Sequence, residues 1–213
     1  MTDFDFTVKR SARRTISLRI VDGGTLEVRC PLKTSQSYID AFVNSKRAWI
    51  ERTIAKEEQK KKLLEGVLDY KFVLVKGERV PLTLGGRTAF SYDGVTVGRL
   101  KDLGAVYKKW LGDEFIALFL SIAEKYGFGF SEVKIRDYKS RWGCCDRSKR
   151  IAFSYKLLML PQIYWEYVIV HELCHTVCMD HSPKFYALVS KIFPQYKRVV
   201  KQLKNFAPLT RLY

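Results

Sequence analysis

The chain has three histidines, His171, His175 and His181, and all of them fall within eleven positions of the stretch VIVHELCHTVCMDHSPKFY, residues 168–186. On a helix, residues four apart project from one face, so His171 and His175 can offer two ring nitrogens to one ion. Between them stands Glu172, at the position that sets a carboxylate beside the metal's water instead of on the metal itself. Zinc with three protein ligands and an open fourth position lowers the pKa of its water to about 7, and a neighbouring carboxylate can take the proton and deliver it to a leaving amine. That division of labour is the hydrolysis of a peptide bond.

A third ligand has to come from further along the chain. Many zinc peptidases use a glutamate on a later helix, but no glutamate follows Glu172. The downstream candidates are Asp180 and His181. His181 is preferred, because imidazole is the better zinc ligand and because a shared site explains why the histidines cluster. Six residues beyond His175, it reaches the same ion only if the chain turns back, and CMDHSP supplies the means: Asp180 tolerates turn geometry and Ser182-Pro183 starts a new helix. Asp180 stays open as the alternative ligand, or as a partner that orients a histidine through its second ring nitrogen. Chance also produces such a string on an ordinary amphipathic helix. Here Val168, Ile169, Val170, Leu173 and Val177 mark the helix as buried, and two imidazoles and a carboxylate in a buried place need partners to offset desolvation.

The elements that must position these groups are legible in outline. Residues 15–30 alternate apolar and polar types on both sides of Gly23-Gly24, which predicts a β-hairpin. After Pro31, Ser35 or Ser37 caps a helix with Ile39, Phe42, Val43, Trp49 and Ile50 on its apolar face, running to about residue 60. Short strands are expected at 71–76, 80–84 and 87–97, separated by glycines. Residues 102–126 form a helix with Val106, Trp110, Phe115, Leu118, Phe119 and Ile122 on one stripe, closing at Gly127. Strands at 132–137 and 150–155 flank the loop KSRWGCCDRSK. Pro161 begins the helix of the histidine pair, Ser182-Pro183 the next, and a last one follows Pro194. The tail NFAPLTRLY either packs on that last helix or folds over the cleft. The fold class is α+β, with a β-rich N-terminal module carrying one long helix at 1–100 and a catalytic domain at 101–213.

Composition excludes some classes. At 213 residues and 47% hydrophobic content the chain builds its own core. No window approaches eighteen uninterrupted apolar residues, and the N-terminus lacks the order of a secretory signal, so no membrane association is expected and the location is cytoplasmic. Five cysteines, Cys30, Cys144, Cys145, Cys174 and Cys178, are odd in number and two are adjacent, which suits reduced thiols better than a disulfide framework. The formal net charge of +16 makes contact with polyanions easy, which leaves a competing class open. In that class the chain is a basic nucleic-acid-associated protein with a structural zinc, or a protease acting on DNA-bound proteins.

The stretch RDYKSRWGCCDRSKRIAFSYKLLMLP, followed by YVIVHELCHTVCMDHSPKFYALVSKIFPQYKR, resembles the YgjP-like metallopeptidases, small zincin-type proteins more distantly related to SprT-like and WLM peptidases. The likeness is most specific from about residue 132 to 204. It extends more weakly to KRSARRTISLRI, LEVRCPL and FVNSKRAWI near the front. It implies a minimal zincin-like domain, its active-site helix packed on a small mixed sheet, with one zinc ion per chain held by His171, His175 and His181 and with Glu172 as general base. The chain departs from the family pattern at Cys144, where serine is usual, and at Ser154, where asparagine is usual. Zincins bind a peptide or protein substrate along an edge strand, for which 150–155 is the expected segment. Arg141 and Trp142 in the preceding loop are candidate substrate contacts. Tyr155, Tyr164, Tyr167 and Tyr186 are possible donors to an oxyanion, with Tyr186 favoured for its place after His181.

Overall fold

A computed structural model describes residues 4–21 and 25–212 and divides the chain into two units at Leu64/Glu65. In the first unit, β1 (Phe6–Ser11), β2 (Ser17–Val21) and β3 (Thr25–Pro31) form a sheet in the order β1-β3-β2. The expected hairpin is the antiparallel β2–β3 pair, while Gly23-Gly24 at its turn lie outside the described residues. β1 runs parallel to β3. Alternation in β3 sends Leu26, Val28 and Cys30 into the core, where they meet Ile39, Val43 and Ile50.

Those last three residues come from two helices, where one long helix was expected. α1 (Gln36–Ser45) starts at Ser35, whose side chain accepts from the Tyr38 N–H, and it stops at Lys46 before α2 (Arg47–Leu64) begins. Trp49, assigned to the apolar face, is exposed.

The second unit holds the sheet β4-β5-β7-β6, built from β4 (Phe72–Val75), β5 (Glu78–Leu84), β6 (Ala89–Phe90) and β7 (Val95–Val97). By compactness these strands group with the C-terminal half, on the far side of the Leu64/Glu65 division. The cause is a set of cross-links: the Tyr107 hydroxyl donates to Leu74 O at 2.5 Å, and the Gly77 N–H to Met159 O at 2.7 Å. α3 (Leu103–Tyr126) ends on Gly127 in the left-handed conformation, φ 69°, the usual helix stop. Its Phe115 and Phe119 pack edge-on against Phe153, and Phe115 also against Trp165. Trp110, expected on the same buried stripe, is half-exposed and stacks on Phe90.

A three-stranded mixed sheet completes this unit in the order β8-β10-β9: β8 (Glu132–Arg136), β9 (Gly143–Cys145) and β10 (Arg150–Ser154). β10 is parallel to β8 and antiparallel to β9. α4 (Gln162–His175) packs against β9, α3, α5 (Pro183–Ile192) and α6 (Tyr196–Leu203), and a 3-10 segment, Lys204–Arg211, follows α6. No helix among the described residues is long and apolar enough to cross a membrane.

Candidate active site

α4 carries Val168, Ile169, Val170, Leu173 and Cys174 into the core, and that burial fixes the rotation of the helix. The rotation brings His171 and His175 to one face. The chain then turns through Val177–His181 and re-enters a helix at Ser182, whose hydroxyl accepts from the Phe185 N–H with Pro183 in the first turn. Asp180 shapes this turn: its Oδ1 accepts from the Ser182 N–H at 3.3 Å and from the Cys178 thiol at 3.1 Å. These contacts hold its carboxyl below the usual carboxylate range. Among the described residues, the cluster that could hold a metal ion contains His181 and not Asp180.

His181 returns to the helix face. One ligand nitrogen from each histidine falls within 4.8 Å of the other two. The Nε2 atoms of His171 and His181 stand 3.2 Å apart. Phe185 lies fully buried against all three imidazoles, with ring centroids 5.0, 4.5 and 4.9 Å from those of His171, His175 and His181. Nothing in spacing marks this phenylalanine beyond its place four residues after His181.

The far sides of two rings are held as metal ligands are. His175 Nδ1 lies 3.1 Å from Cys178 O, and because a carbonyl only accepts, Nδ1 carries the proton and Nε2 keeps its lone pair. His171 Nδ1 meets the Tyr167 hydroxyl at 3.2 Å. Burial, with the neighbouring His175 and His181, pushes the His171 pKa down to about 3, and burial lowers that of His175. Neutral imidazoles with converging lone pairs are what a divalent cation requires. The donor set fits zinc.

Glu172 lies beside them, 4% exposed, and its Oε2 has no hydrogen-bond partner among the described residues. Burial pushes its pKa up to about 8, against the opposing pull of the Arg141 guanidinium. The carboxylate packs on the backbone of β9. A Cβ built on Gly143 would stand 2.7 Å from Glu172 Oε1 and 2.8 Å from its Cγ, so only glycine leaves room there. Gly143 was not singled out from sequence, where it lies inside an apparent loop.

The same sheet corrects the expected substrate edge. β10 (150–154) is paired on both sides, so it has no free edge; β9 is the edge strand next to α4. Trp142 immediately precedes it and lines a cavity of about 310 Å³ with Gly143, Tyr167, Val168, His171, Glu172, Val200, Leu203, Lys204 and Ala207. Arg141 is exposed, with its guanidinium 5.7 Å over the Tyr138 ring. Tyr186 is partly exposed, its ring 6.1 Å from that of His181. Of the other tyrosines, Tyr155 and Tyr164 are core residues packed on Tyr107 and Phe206. Tyr167 serves His171.

The five cysteines are free. Cys144, at the position where serine is usual in the family, has its sulfur 3.2 Å from the Tyr138 hydroxyl. Burial pushes the Cys145 thiol up to about 11 and the Cys174 thiol to about 12, so both are protonated fillers and not nucleophiles. Lys156 escaped sequence reasoning altogether: its side chain is 0% exposed, paired with Asp137 at 2.9 Å, and it donates to Thr210 O at 3.0 Å and Tyr138 O at 3.4 Å.

Three convergent histidines, a buried carboxylate one residue after the first, and an edge strand against their helix define a zinc-peptidase-like active site of the zincin type. The chain matches the YgjP-like metallopeptidase domain over residues 14–206 and belongs to that family. Neither curated proteins nor solved structures gave a match.

Proposed function

We propose that the protein is a zinc-dependent peptidase in which His171, His175 and His181 hold one zinc ion and Glu172 is the general base. One observation carries this reading: Glu172, with its buried, unpartnered Oε2, directly follows the first of three histidines whose ring nitrogens converge. A carboxylate left so in a protein interior costs several kcal/mol unless it has a task or a cation nearby. Zinc in a three-ligand site acidifies a water and polarises the carbonyl under attack. Glu172 Oε2 takes the proton and passes it to the departing amine. Burial raises the basicity of Glu172, and a zinc ion held by the neighbouring histidines would favour its ionised form, the form that accepts the proton.

Substrate contacts follow from β9. An extended peptide adds to this edge as a further strand, which aligns its backbone past Glu172. Arg141 and Trp142 lead into that edge and flank the bound chain. Tyr186, beside His181, is the exposed hydroxyl best placed among the tyrosines to donate to the oxygen that gains charge. The substrate is a peptide or protein, and the five free thiols suit a reducing, cytoplasmic setting.

The first test is the zinc content of the purified protein beside His181→Ala and Glu172→Gln. About one zinc per chain is expected in the wild type and in Glu172→Gln, and much less in His181→Ala. Peptide hydrolysis by Glu172→Gln should fall by about 10²- to 10⁴-fold. A Glu172→Gln protein as active as wild type would sink the mechanism, and a wild type that takes up no metal would sink the class.

A further inference from the structure

We propose that the cavity beside Glu172 is a specificity pocket that takes one bulky apolar side chain, of the leucine or phenylalanine class, next to the bond that is cut. The inference rests on the hydrolytic reading above and narrows its substrate. A volume of about 310 Å³ stands at the small end of ligand pockets, suited to a side chain rather than to a nucleotide or a cofactor.

The lining decides the chemistry. Val168, Val200, Leu203 and Ala207 supply aliphatic wall, and Trp142 and Tyr167 aromatic wall. The Tyr167 hydroxyl is already engaged by His171, so what Tyr167 leaves to the cavity is carbon. The other polar groups of the lining are His171 and Glu172, which belong to the reaction centre, and Lys204, which is exposed. A lone cation in water adds little to binding, whereas burying a leucine or phenylalanine side chain is worth roughly ten- to a hundredfold. Because His171 and Glu172 are part of the wall, a side chain seated there holds its own backbone against the reaction centre.

The pocket is built in advance of its ligand. Its C-terminal wall comes from α6 and the 3-10 segment after it, anchored by Phe206 and Leu209 in the core. The opposite rim is the loop that leads through Tyr138 to Trp142. One buried ammonium ties the two together: Lys156 reaches Thr210 O on one side, and Asp137 and Tyr138 O on the other. An ammonium so deeply buried needs all its partners, so the wall and the loop are held as a unit. The tail thus forms one side of the cleft, and its removal would open the pocket rather than release an inhibitor.

The test uses the zinc-loaded full chain and four N-acetyl amino-acid hydroxamates, those of glycine, alanine, leucine and phenylalanine, titrated calorimetrically. The leucine and phenylalanine compounds should bind at least tenfold tighter than the glycine compound. Ala207→Phe adds a ring at an exposed position of the wall, where it leaves the core untouched. It should bring the leucine and phenylalanine compounds down to the glycine level while the glycine affinity and zinc content hold. Equal affinity for all four compounds in the wild type, or an equal loss of all four in Ala207→Phe, overturns the pocket. Peptide cleavage distinguishes the two layers of the argument. Cleavage with no preference at either residue flanking the bond removes the pocket and keeps the peptidase; selective binding with no cleavage of leucine- or phenylalanine-containing peptides keeps the pocket and removes the peptidase.

Discussion

Glu27 in the N-terminal sheet and Glu172 on the histidine helix expose about as little surface, 2% and 4%, yet Glu27 is covered by two exposed cations and Glu172 by the interior, and their surroundings treat their charge in opposite ways. Glu27 lies on β3 between two cations, Lys9 Nζ from the neighbouring strand β1 at 2.5 Å and Arg29 Nε from two residues along β3 itself at 2.6 Å. Those hydrogen bonds hold its carboxyl below the usual range. Glu172 has no such partner on Oε2 and is pushed up to about 8 by burial. Ion-paired burial fixes a sheet; unpaired burial stores a proton acceptor. The difference teaches how to separate a structural acid from a reactive one where burial alone cannot, since the reactive one is the acid whose neighbours leave it wanting.

The comparison breaks most readily at Gly143. If the position of Glu172 matters as much as its charge, we predict that Gly143→Ala, whose Cβ would meet the carboxylate at 2.7 Å, displaces Glu172 without removing any titrating group. A misplacement of about 1 Å costs on the order of 10²-fold in rate. Turnover should fall by about that factor with zinc content and circular dichroism unchanged. Wild-type turnover in this variant would mean that the close packing of β9 on Glu172 has no bearing on reactivity.

A smaller effect is expected where a partner is supplied instead of withheld. Tyr167→Phe removes the hydroxyl that holds His171 Nδ1 and leaves the ring in its place. Outer partners of metal-ligating histidines are worth 10- to 100-fold in affinity, and a neutral hydroxyl belongs at the low end, about tenfold. Competition with a chromophoric chelator measures this directly. An unchanged zinc affinity would show that Phe185, against all three rings, fixes the imidazoles without help.

How far these features are legible without coordinates follows from what each depends on. The histidine pair reads directly, because four-residue spacing on a buried helix has one geometric meaning, and elimination of later acids left His181 and Asp180. Coordinates separate those two, because Asp180 is committed to the Cys178–Ser182 turn. β1 was missed because FTVKRS is mostly polar and its partner β3 is parallel and non-adjacent in sequence, a long-range choice that no local pattern encodes. The strand expected to bind substrate proved central, since strand order is likewise a property of the whole sheet. Trp49 and Trp110 fit the helical stripe by type but lie at its exposed margin, where periodicity locates a face and not its width. Lys156 was invisible because lysine in YKLLML reads as a solvated residue until Asp137, Tyr138 and Thr210 are brought around it.

The gentlest test returns to Glu27 and concerns stability against pH. Its folded-state pKa is lowered, so its contribution is fully present above the ordinary glutamate value of about 4.3 and is lost as pH falls through the lower folded value. Glu27→Gln keeps the shape and removes the titration. We predict that the variant unfolds at lower urea than wild type at pH 7, where Lys9 and Arg29 have lost their anion, and that the two midpoints converge as pH is taken to 3 and below. Other acids titrate in this range in both proteins, so the difference between the midpoints is the quantity to read. Zinc content of the variant at pH 7 should equal that of wild type, because this carboxylate belongs to the N-terminal sheet and not to the reaction centre. A difference that stays constant from pH 7 to 3 would mean that Glu27 acts through shape alone, and the contrast with Glu172 would then be one of packing and not of charge.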